Sequence, residues 1–324
     1  MKKIVLLVFM LLLTCVSNES KAKRILDQGL SDASPFVRVS AAKALMMLGD
    51  VRGNRLLMEM AAQDETELQV NALNALYEAG YGELEPVVIG LCSNPSAAIR
   101  EAAYRIVASS DEQEARTILL QGIYDEFSRV REVAYSGLGK FQEMDALLQG
   151  LRDPDPLVRI SVARTLGELG SDGMSDFIRE ELRKFRPDVW GKGVIAIAEV
   201  RDTTNIQFFK RLLEEGTEEL RIHAAEALLI LNDDAGVQTL LRSLQSKDPF
   251  VRIGAVEVLS RYDVPDAYDE LRTAVRDEYI NVAVRAVEAL AKHDAANQKE
   301  LFAELMDASN VLLRVSAAFA YLRS

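Results

Sequence analysis

The chain repeats one pattern of apolar and polar positions about every 31 residues. The segment SPFVRVSAAKALMMLG at residues 34–49 returns as DPLVRISVARTLGELG at 155–170 and as DPFVRIGAVEVLSRYD at 248–263. Aligned on the Arg of this segment, ten copies follow one another at intervals of 31 residues, except for one interval of 28 residues. The reference positions are Arg38, Gln69, Arg100, Arg131, Arg159, Trp190, Arg221, Arg252, Ala283 and Arg314. A fixed period of this length is typical of proteins whose structural repeats stack along one axis.

Each copy has the pattern of two amphipathic helices. Apolar residues stand one position before the reference residue and three and seven positions after it, as Val37, Ala41 and Leu45 do in the first copy. That spacing forms one face of an α-helix. A second apolar pair lies twelve and eight positions before the reference residue, at Leu26 and Leu30 in the first copy, and it marks a preceding helix. The pattern therefore predicts one helical hairpin per copy.

Residues that favour helix ends stand where the second helices are predicted to begin and end. Capping residues followed by proline occur at Ser34-Pro35, Asp155-Pro156 and Asp248-Pro249. Glycines follow the last turns at Gly49, Gly80 and Gly170. Both features are typical of helix boundaries. The predicted fold is all-α, an α-solenoid of about ten hairpins over residues 20–324.

The run DASPFVRVSAAKAL at residues 32–45 resembles the short HEAT-like repeat named after phycobilisome lyases. The resemblance covers about residues 20–324. It implies a right-handed superhelix, with the first helix of each hairpin on the convex side and the second on the concave side. One enzymatic branch of HEAT-like proteins, a hydroxylase, carries repeated His-Glu metal ligands, and this chain has no His-Glu pair. We therefore predict no metal site and no cofactor.

The first fifteen residues have the pattern of an export signal. Two lysines precede the uninterrupted apolar run Ile4–Leu13. As a helix this run would span about 15 Å, which is about half of a bilayer core, so it fits a signal peptide and is too short for a membrane span. The tetrapeptide LLTC at the end of this run, residues 12–15, resembles the lipobox of bacterial lipoproteins, although Thr14 stands where that family has Gly, Ala or Ser.

This start predicts an envelope protein held by lipid. Residues 1–14 would be the signal peptide, Cys15 the lipidated residue and 15–19 a short tether. Cleavage by the ordinary signal peptidase, after Ser17, would instead give a secreted or periplasmic chain. Both alternatives place the protein outside the cytoplasm.

Composition excludes several classes of partner and scaffold. The chain has 50 acidic and 38 basic residues and a formal net charge of −12, so its surface repels nucleic acid phosphates. Two cysteines are too few for a disulfide scaffold. Cys92 lies in an apolar column of the repeat, which predicts a core position, and His223 lies in a column expected to be exposed.

The arginines at the reference positions allow two interpretations. In several copies an Asp precedes the reference position by six residues, which favours arginines that brace the loop between the two helices. The alternative is a row of guanidinium groups that binds an anionic ligand. In the sixth copy Trp190 replaces the arginine, and Gly191 and Gly193 follow it. Trp190 either fills space beside these glycines or is an exposed aromatic residue for partner binding.

The column five positions after the reference residue is the predicted binding surface. It is expected on the exposed side of the second helices, with basic residues in its first half and acidic residues in its second half. The column consists of Lys43, Asn74, Arg105, Ser136, Arg164, Ile195, Glu226, Glu257, Glu288 and Phe319. An extended partner could be oriented by this charge gradient. The alternative is local pairing of Glu257 with Arg261 and of Glu288 with Lys292.

The sequence favours a binding protein over an enzyme. It contains no recognisable set of nucleophile, base and orienting group, and no Gly-rich phosphate loop. The predicted function is a non-catalytic scaffold that binds a protein or peptide on its concave face. The partner-binding candidates are Lys43, Arg105, Arg164, Trp190, Glu226, Glu257 and Glu288. The alternative is an enzyme or enzyme subunit with a site near the irregular sixth copy.

Overall fold

A computed structural model describes residues 17–184 and 189–324, and all of the regular structure in these two segments is helical. The predicted signal peptide and Cys15 lie outside the described residues. The helices are numbered α1–α20, and consecutive helices pair into hairpins 1–10, as the repeat predicts. This confirms the predicted fold class, an α-solenoid.

The helices are α1 Asn18–Gly29, α2 Pro35–Met47, α3 Val51–Ala61, α4 Thr66–Glu78, α5 Pro86–Leu91, α6 Ala97–Ser109, α7 Gln113–Gly122, α8 Ser128–Leu138, α9 Met144–Gly150, α10 Pro156–Glu168, α11 Met174–Lys184, α12 Trp190–Glu199, α13 Ile206–Glu215, α14 Glu218–Ile230, α15 Val237–Ser243, α16 Pro249–Arg261, α17 Tyr268–Ala274, α18 Ile280–His293, α19 Lys299–Leu305 and α20 Val311–Arg323. Short 3-10 turns occupy Gly139–Phe141, Thr203–Asn205, Asp234–Gly236, Pro265–Ala267 and Ala295–Gln298.

Most of the predicted helix ends are confirmed. The side chains of Asp155 and Asp248 cap α10 and α16 by accepting backbone N–H groups at 2.8 and 2.9 Å. Ser34 does not cap α2 with its hydroxyl, and its backbone N–H donates to the side chain of Asp32 at 2.8 Å. Helix α1 begins at Asn18, two residues before the predicted start of the solenoid.

Glycines end three second helices as predicted. Gly49, Gly80 and Gly170 have φ angles of 81°, 81° and 88°, a region that side chains with a Cβ rarely adopt. The turn after α2 shows the resulting geometry, because the Asp50 N–H donates to the carbonyl of Leu45 at 2.9 Å.

The chain forms two compact units. The middle unit, Leu57–Glu270, stacks the second helices of successive hairpins against one another, from α4 to α16. Its apolar columns meet between the helices, where Phe209, Ile178 and Leu228 are fully buried. Each such side chain contributes about 1.5–3 kcal/mol of transfer free energy to folding. The apolar columns therefore account for the stacking of the hairpins.

The terminal unit contains both ends of the chain, residues up to Leu56 and from Leu271 onwards. Helices α1 and α2 of hairpin 1 pack against α20 of hairpin 10. Gly29 permits this approach, because a Cβ on it would lie 2.7 Å from the Cβ of Ala41 and 3.3 Å from Val315. Lys21 forms an ion pair with Asp307 at 2.6 Å. The sequence analysis did not predict this contact between the first and last hairpins.

Candidate functional site

The arginines at the reference positions hold the loops of their own hairpins. In Arg131, Nη1 donates to the carbonyls of Asp125 and Glu126 at 2.9 and 3.2 Å, six and five residues earlier. The same pair of bonds recurs in other hairpins, at Arg38, Arg100, Arg159, Arg252 and Arg314. The bracing interpretation of this column is therefore confirmed for these arginines.

Three of these arginines also join adjacent hairpins. Arg100 pairs with Asp125 and Arg131 with Asp153, each through Nε at 2.7 Å. Arg159 pairs with Glu181 of hairpin 6, with Nε at 2.9 Å and Nη2 at 2.5 Å from one carboxylate oxygen. The Asp that precedes a reference position by six residues thus binds the arginine of the hairpin before it. The guanidinium donors of these arginines are used within the protein, which argues against the anionic-ligand alternative.

The pairs Arg100–Asp125, Arg131–Asp153 and Arg159–Glu181 form what we call the arginine ladder, and electrostatics within it keep the carboxylates of Asp125 and Glu181 ionised. Burial alone would raise the pKa of Asp125, but hydrogen bonds from Arg100 and from the Phe127 N–H outweigh burial, and its pKa is lowered. The pKa of Glu181 is also lowered, because hydrogen bonds from Arg159 and Lys184 outweigh its burial.

The residues five positions after the reference positions form what we call the second-helix ridge. Neighbours along this ridge contact each other. Arg105 lies 3.5 Å from Asn74 and donates to Glu101 at 2.6 Å. Arg164 donates to Ser136 at 2.7 Å and to Glu168 at 2.8 Å. The ridge is therefore a polar surface whose charged side chains are already oriented by one another.

The side of hairpins 4 to 6 that carries the ridge is concave. Lys192 of α12 reaches Glu132 of α8 at 3.0 Å, although hairpin 5 lies between them. Side chains two hairpins apart can meet only where the stack curves towards them. In the terminal unit, Lys43 of α2 forms an ion pair with Glu288 of α18 at 3.7 Å. Hairpin 10 lies between these two helices, because α20 packs against both of them.

The predicted exposure of Glu226 is wrong, whereas Glu257 and Glu288 are partly exposed. Glu226 is only 5% exposed and pairs with Arg261 at 2.8 Å, so Arg261 does not pair with Glu257 as predicted. Glu288 pairs with Arg285 at 2.9 Å as well as with Lys43. Because Lys43 lies beside Glu288, the basic start and the acidic end of the column are neighbours.

Trp190 is half-buried and packs against the core of hairpins 5 to 7. The glycines beside it make room for other side chains, since a Cβ on Gly191 would lie 2.6 Å from Nε2 of His223. A Cβ on Gly193 would lie 2.4 Å from Leu182. The predicted exposure of His223 is wrong, because burial lowers the pKa of its imidazole and its Nδ1 is buried without a hydrogen bond.

A cleft missed by the sequence analysis lies at the C-terminal ends of α10, α12 and α14. Its volume is about 650 Å³, and its walls include Glu199, Val200, Ile230 and Tyr262. Burial raises the pKa of the Glu199 carboxyl, and Arg164, 3.4 Å away, offsets burial only in part. In the sequence, Glu199 stands nine positions after its reference residue and has the pattern of an ordinary exposed helix end, so no signal distinguished it.

Cys92 is buried, as predicted, and its Sγ lies 3.5 Å from the carbonyl oxygen of Val88. Burial raises the pKa of its thiol to about 12, so it is a core side chain and not a reactive thiolate. Within residues 17–184 and 189–324, no three His, Cys, Asp or Glu side chains form a group that could hold a metal ion. No helix in the same two segments is long and apolar enough to cross a membrane.

Three solved structures show similarity at low sequence identity. The complex of CpcE and CpcF of phycocyanin lyase from Nostoc sp. PCC7120 matches at 19% identity, with 73% of this chain and 94% of that chain covered and a TM-score of 0.47. An engineered protein matches at 17%, with 94% and 98% covered and a TM-score of 0.35. Escherichia coli YibA matches at 17%, with 78% and 97% covered and a TM-score of 0.37.

A comparison with curated proteins found no match. Because all three structural TM-scores are below 0.5, the assignment of a family depends on the repeat itself. The model of HEAT repeats matches residues 54–139, 117–189, 175–260, 206–291 and 237–323, which together span most of the chain. The chain therefore belongs to the HEAT repeat family.

Proposed function

We propose that this protein is a non-catalytic scaffold of the bacterial cell envelope that holds a protein partner on its second-helix ridge. The observation that carries the proposal is the polar ridge of hairpins 3 to 6, which is concave over hairpins 4 to 6. There Arg105, Arg164 and Lys192 are partly exposed and held in place by ion pairs with residues of the same or nearby hairpins. Side chains ordered in advance lose less conformational entropy when a partner binds.

The structure changes which ridge residues are candidates for contact. Glu226 supports Arg261 and does not itself face solvent. Glu257 and the partly exposed Glu288 remain candidates, together with Lys43, Arg105 and Arg164. Trp190 is better placed to support the ridge from the core than to contact a partner. The partner-binding surface is therefore polar, and its specificity depends on matching charges.

The location in the envelope is part of the proposal. Helix α1 begins at Asn18, capped by Ser17, so a lipid on Cys15 would be attached directly before the folded part. Two or more acyl chains, at about 0.8 kcal/mol per buried methylene, hold a protein on a membrane stably. Such an anchor would present hairpin 1 to the membrane surface.

One observation favours the alternative of an enzyme or enzyme subunit. Glu199 lies in hairpin 6, the irregular copy, in a cleft beside Tyr262, and burial raises the pKa of its carboxyl. Perturbed carboxyls in clefts are candidates for general acid–base chemistry. Glu199→Gln would abolish such an activity.

Site-specific photo-crosslinking tests the scaffold proposal. A photoreactive amino acid is placed at Ile195 or Glu257, on the ridge, and in matched variants at Arg211 or Glu214, on exposed first-helix positions of hairpin 7. After irradiation in cells, the ridge variants are expected to give an adduct with one protein that the first-helix variants do not give. Equal adducts from both faces, or adducts from neither, would contradict a ridge-bound partner.

A further inference from the structure

A second cleft, of about 650 Å³, lies between hairpins 4 and 5 on the side of their first helices. Its apolar walls include Ile123, Tyr135 and Leu148. Gly150 leaves room for the ring of Tyr135, because a Cβ on Gly150 would lie only 2.8 Å from this ring and 2.8 Å from Val162. The cleft is thus built by close packing between the two hairpins, and its volume is in the range of ligand pockets.

The rim of this cleft exposes unusually large apolar side chains. Tyr124, next to Ile123 in the chain, is 72% exposed, and Leu148 is 53% exposed. Single exposed apolar residues are ordinary, but Leu148 lies in the wall of a concavity that also contains Arg152, and this combination is typical of a binding surface.

The cleft carries excess positive charge in a chain of net charge −12. Of its two arginines, Arg131 is neutralised by Asp153 at 2.7 Å. Arg152 is exposed, and within the described segments of the chain it forms no ion pair. A ligand that fits this cleft therefore needs both an apolar body and a negative charge placed for Arg152.

We propose that this cleft docks a segment of a partner protein in which a large apolar side chain stands next to an Asp or Glu. The apolar side chain enters between Leu148 and Tyr135, and the carboxylate pairs with Arg152. This site is on the first-helix side, so it is a second surface, separate from the second-helix ridge. Its test does not depend on the outcome of the ridge experiment.

The chemistry of the site is tested with 1-anilinonaphthalene-8-sulfonate, a probe that has an apolar body and one anionic group. The full chain is expected to bind it saturably at one site. Leu148→Asp should weaken binding by about tenfold, the loss of one buried apolar contact. Arg152→Gln should weaken it by up to about fivefold, as expected for one exposed ion pair. N-phenyl-1-naphthylamine, the uncharged analogue, should be insensitive to Arg152→Gln.

Matched controls are Val51→Asp, at an exposed apolar residue elsewhere, and Arg183→Gln, at an exposed arginine elsewhere. Both should bind the probe as the unchanged chain does. Because all four substituted side chains are exposed, unchanged thermal melting will show that the fold is kept. If Leu148→Asp and Arg152→Gln bind the probe as tightly as the two controls, the proposed site is wrong.

The nature of the occupant is tested by a photo-crosslinker at Gln149, which lines the cleft. The partner peptide attached there is expected to contain an Asp or Glu adjacent to a large apolar residue. The anionic probe should suppress this adduct and leave any adduct at Ile195 on the ridge unaffected. Attached peptides without an acidic residue, the absence of an adduct, or an adduct insensitive to the probe would overturn the proposal.

Discussion

The carboxylate of Asp153 is the connection between hairpins 4 and 5 whose loss should be most damaging. It accepts two hydrogen bonds from Arg131, at 2.7 and 2.8 Å, and one from the Asp155 N–H at 2.8 Å. The two side chains of this ion pair are only 12% and 5% exposed. Asp153→Ala would leave the guanidinium of Arg131 buried without its counter-charge.

Removing one partner of a buried ion pair costs about 3–5 kcal/mol. Arg131 keeps its two hydrogen bonds to the carbonyls of its own loop, so we expect the loss of unfolding free energy to lie at the lower end of this range, about 3 kcal/mol. At about 2–4 °C per kcal/mol, Tm should fall by about 6–12 °C. Replacing both Arg131 and Asp153 with Leu should recover much of this loss, because no unpaired charge is then buried.

Thermal melting followed by far-ultraviolet circular dichroism measures this effect. The control is Glu180→Ala, because Glu180 pairs with Arg183 on an exposed face where the two side chains are 57% and 71% exposed. Such a pair contributes about 0–1 kcal/mol. If Asp153→Ala and Glu180→Ala lower Tm equally, the ladder does not join the hairpins energetically as described.

Three further predictions concern single positions. Gly191→Ala should destabilise the protein by about 1–3 kcal/mol, because its Cβ would collide with His223. Gly90→Ala should stabilise it by up to about 1 kcal/mol, because the space around Gly90 is open. Chemical denaturation measures both free energies of unfolding. The raised pKa of Glu199 means that the folded state binds the proton of this carboxyl more tightly than the unfolded state does, so stability falls as pH rises above about 4.5. Glu199→Gln should therefore raise Tm at pH 7 and reduce the dependence of Tm on pH. Cys15→Ser should release the protein from membranes or leave an uncleaved precursor, and an unmodified chain starting near Asn18 by intact mass would contradict lipidation.

The periodic columns made the fold predictable from the sequence. Val130, Ala134 and Leu138 stand at the predicted apolar positions of α8, and all three are fully buried. Apolar spacing determines which face of a helix is removed from water, so a repeated spacing specifies repeated packing. The bracing role of the arginines was predictable too, because Asp, Pro and Arg recur together at fixed offsets.

The same periodicity could not predict contacts that depend on curvature. Whether Glu226 is exposed depends on how closely α14 and α16 approach, and its partner Arg261 lies 35 residues away. The contact between hairpins 1 and 10 was hidden because both carry the same pattern as every other hairpin. The clefts could not be predicted for a related reason, since Ile123 and Leu148 belong to different helical hairpins and line one cleft only in the folded chain.

The central claim is that the second-helix ridge binds a partner, and a charge swap tests it most directly. In the double variant Glu132→Lys with Lys192→Glu, the ion pair across hairpin 5 can form in the reverse sense, so Tm should be nearly unchanged. Lys192 lies one helical turn before Ile195, so the swap exchanges a positive and a negative charge beside the ridge, and we expect the adduct from Ile195 to fall at least about tenfold, with a loss that grows as salt is lowered. An unchanged adduct in a variant with unchanged Tm would contradict partner binding on the ridge.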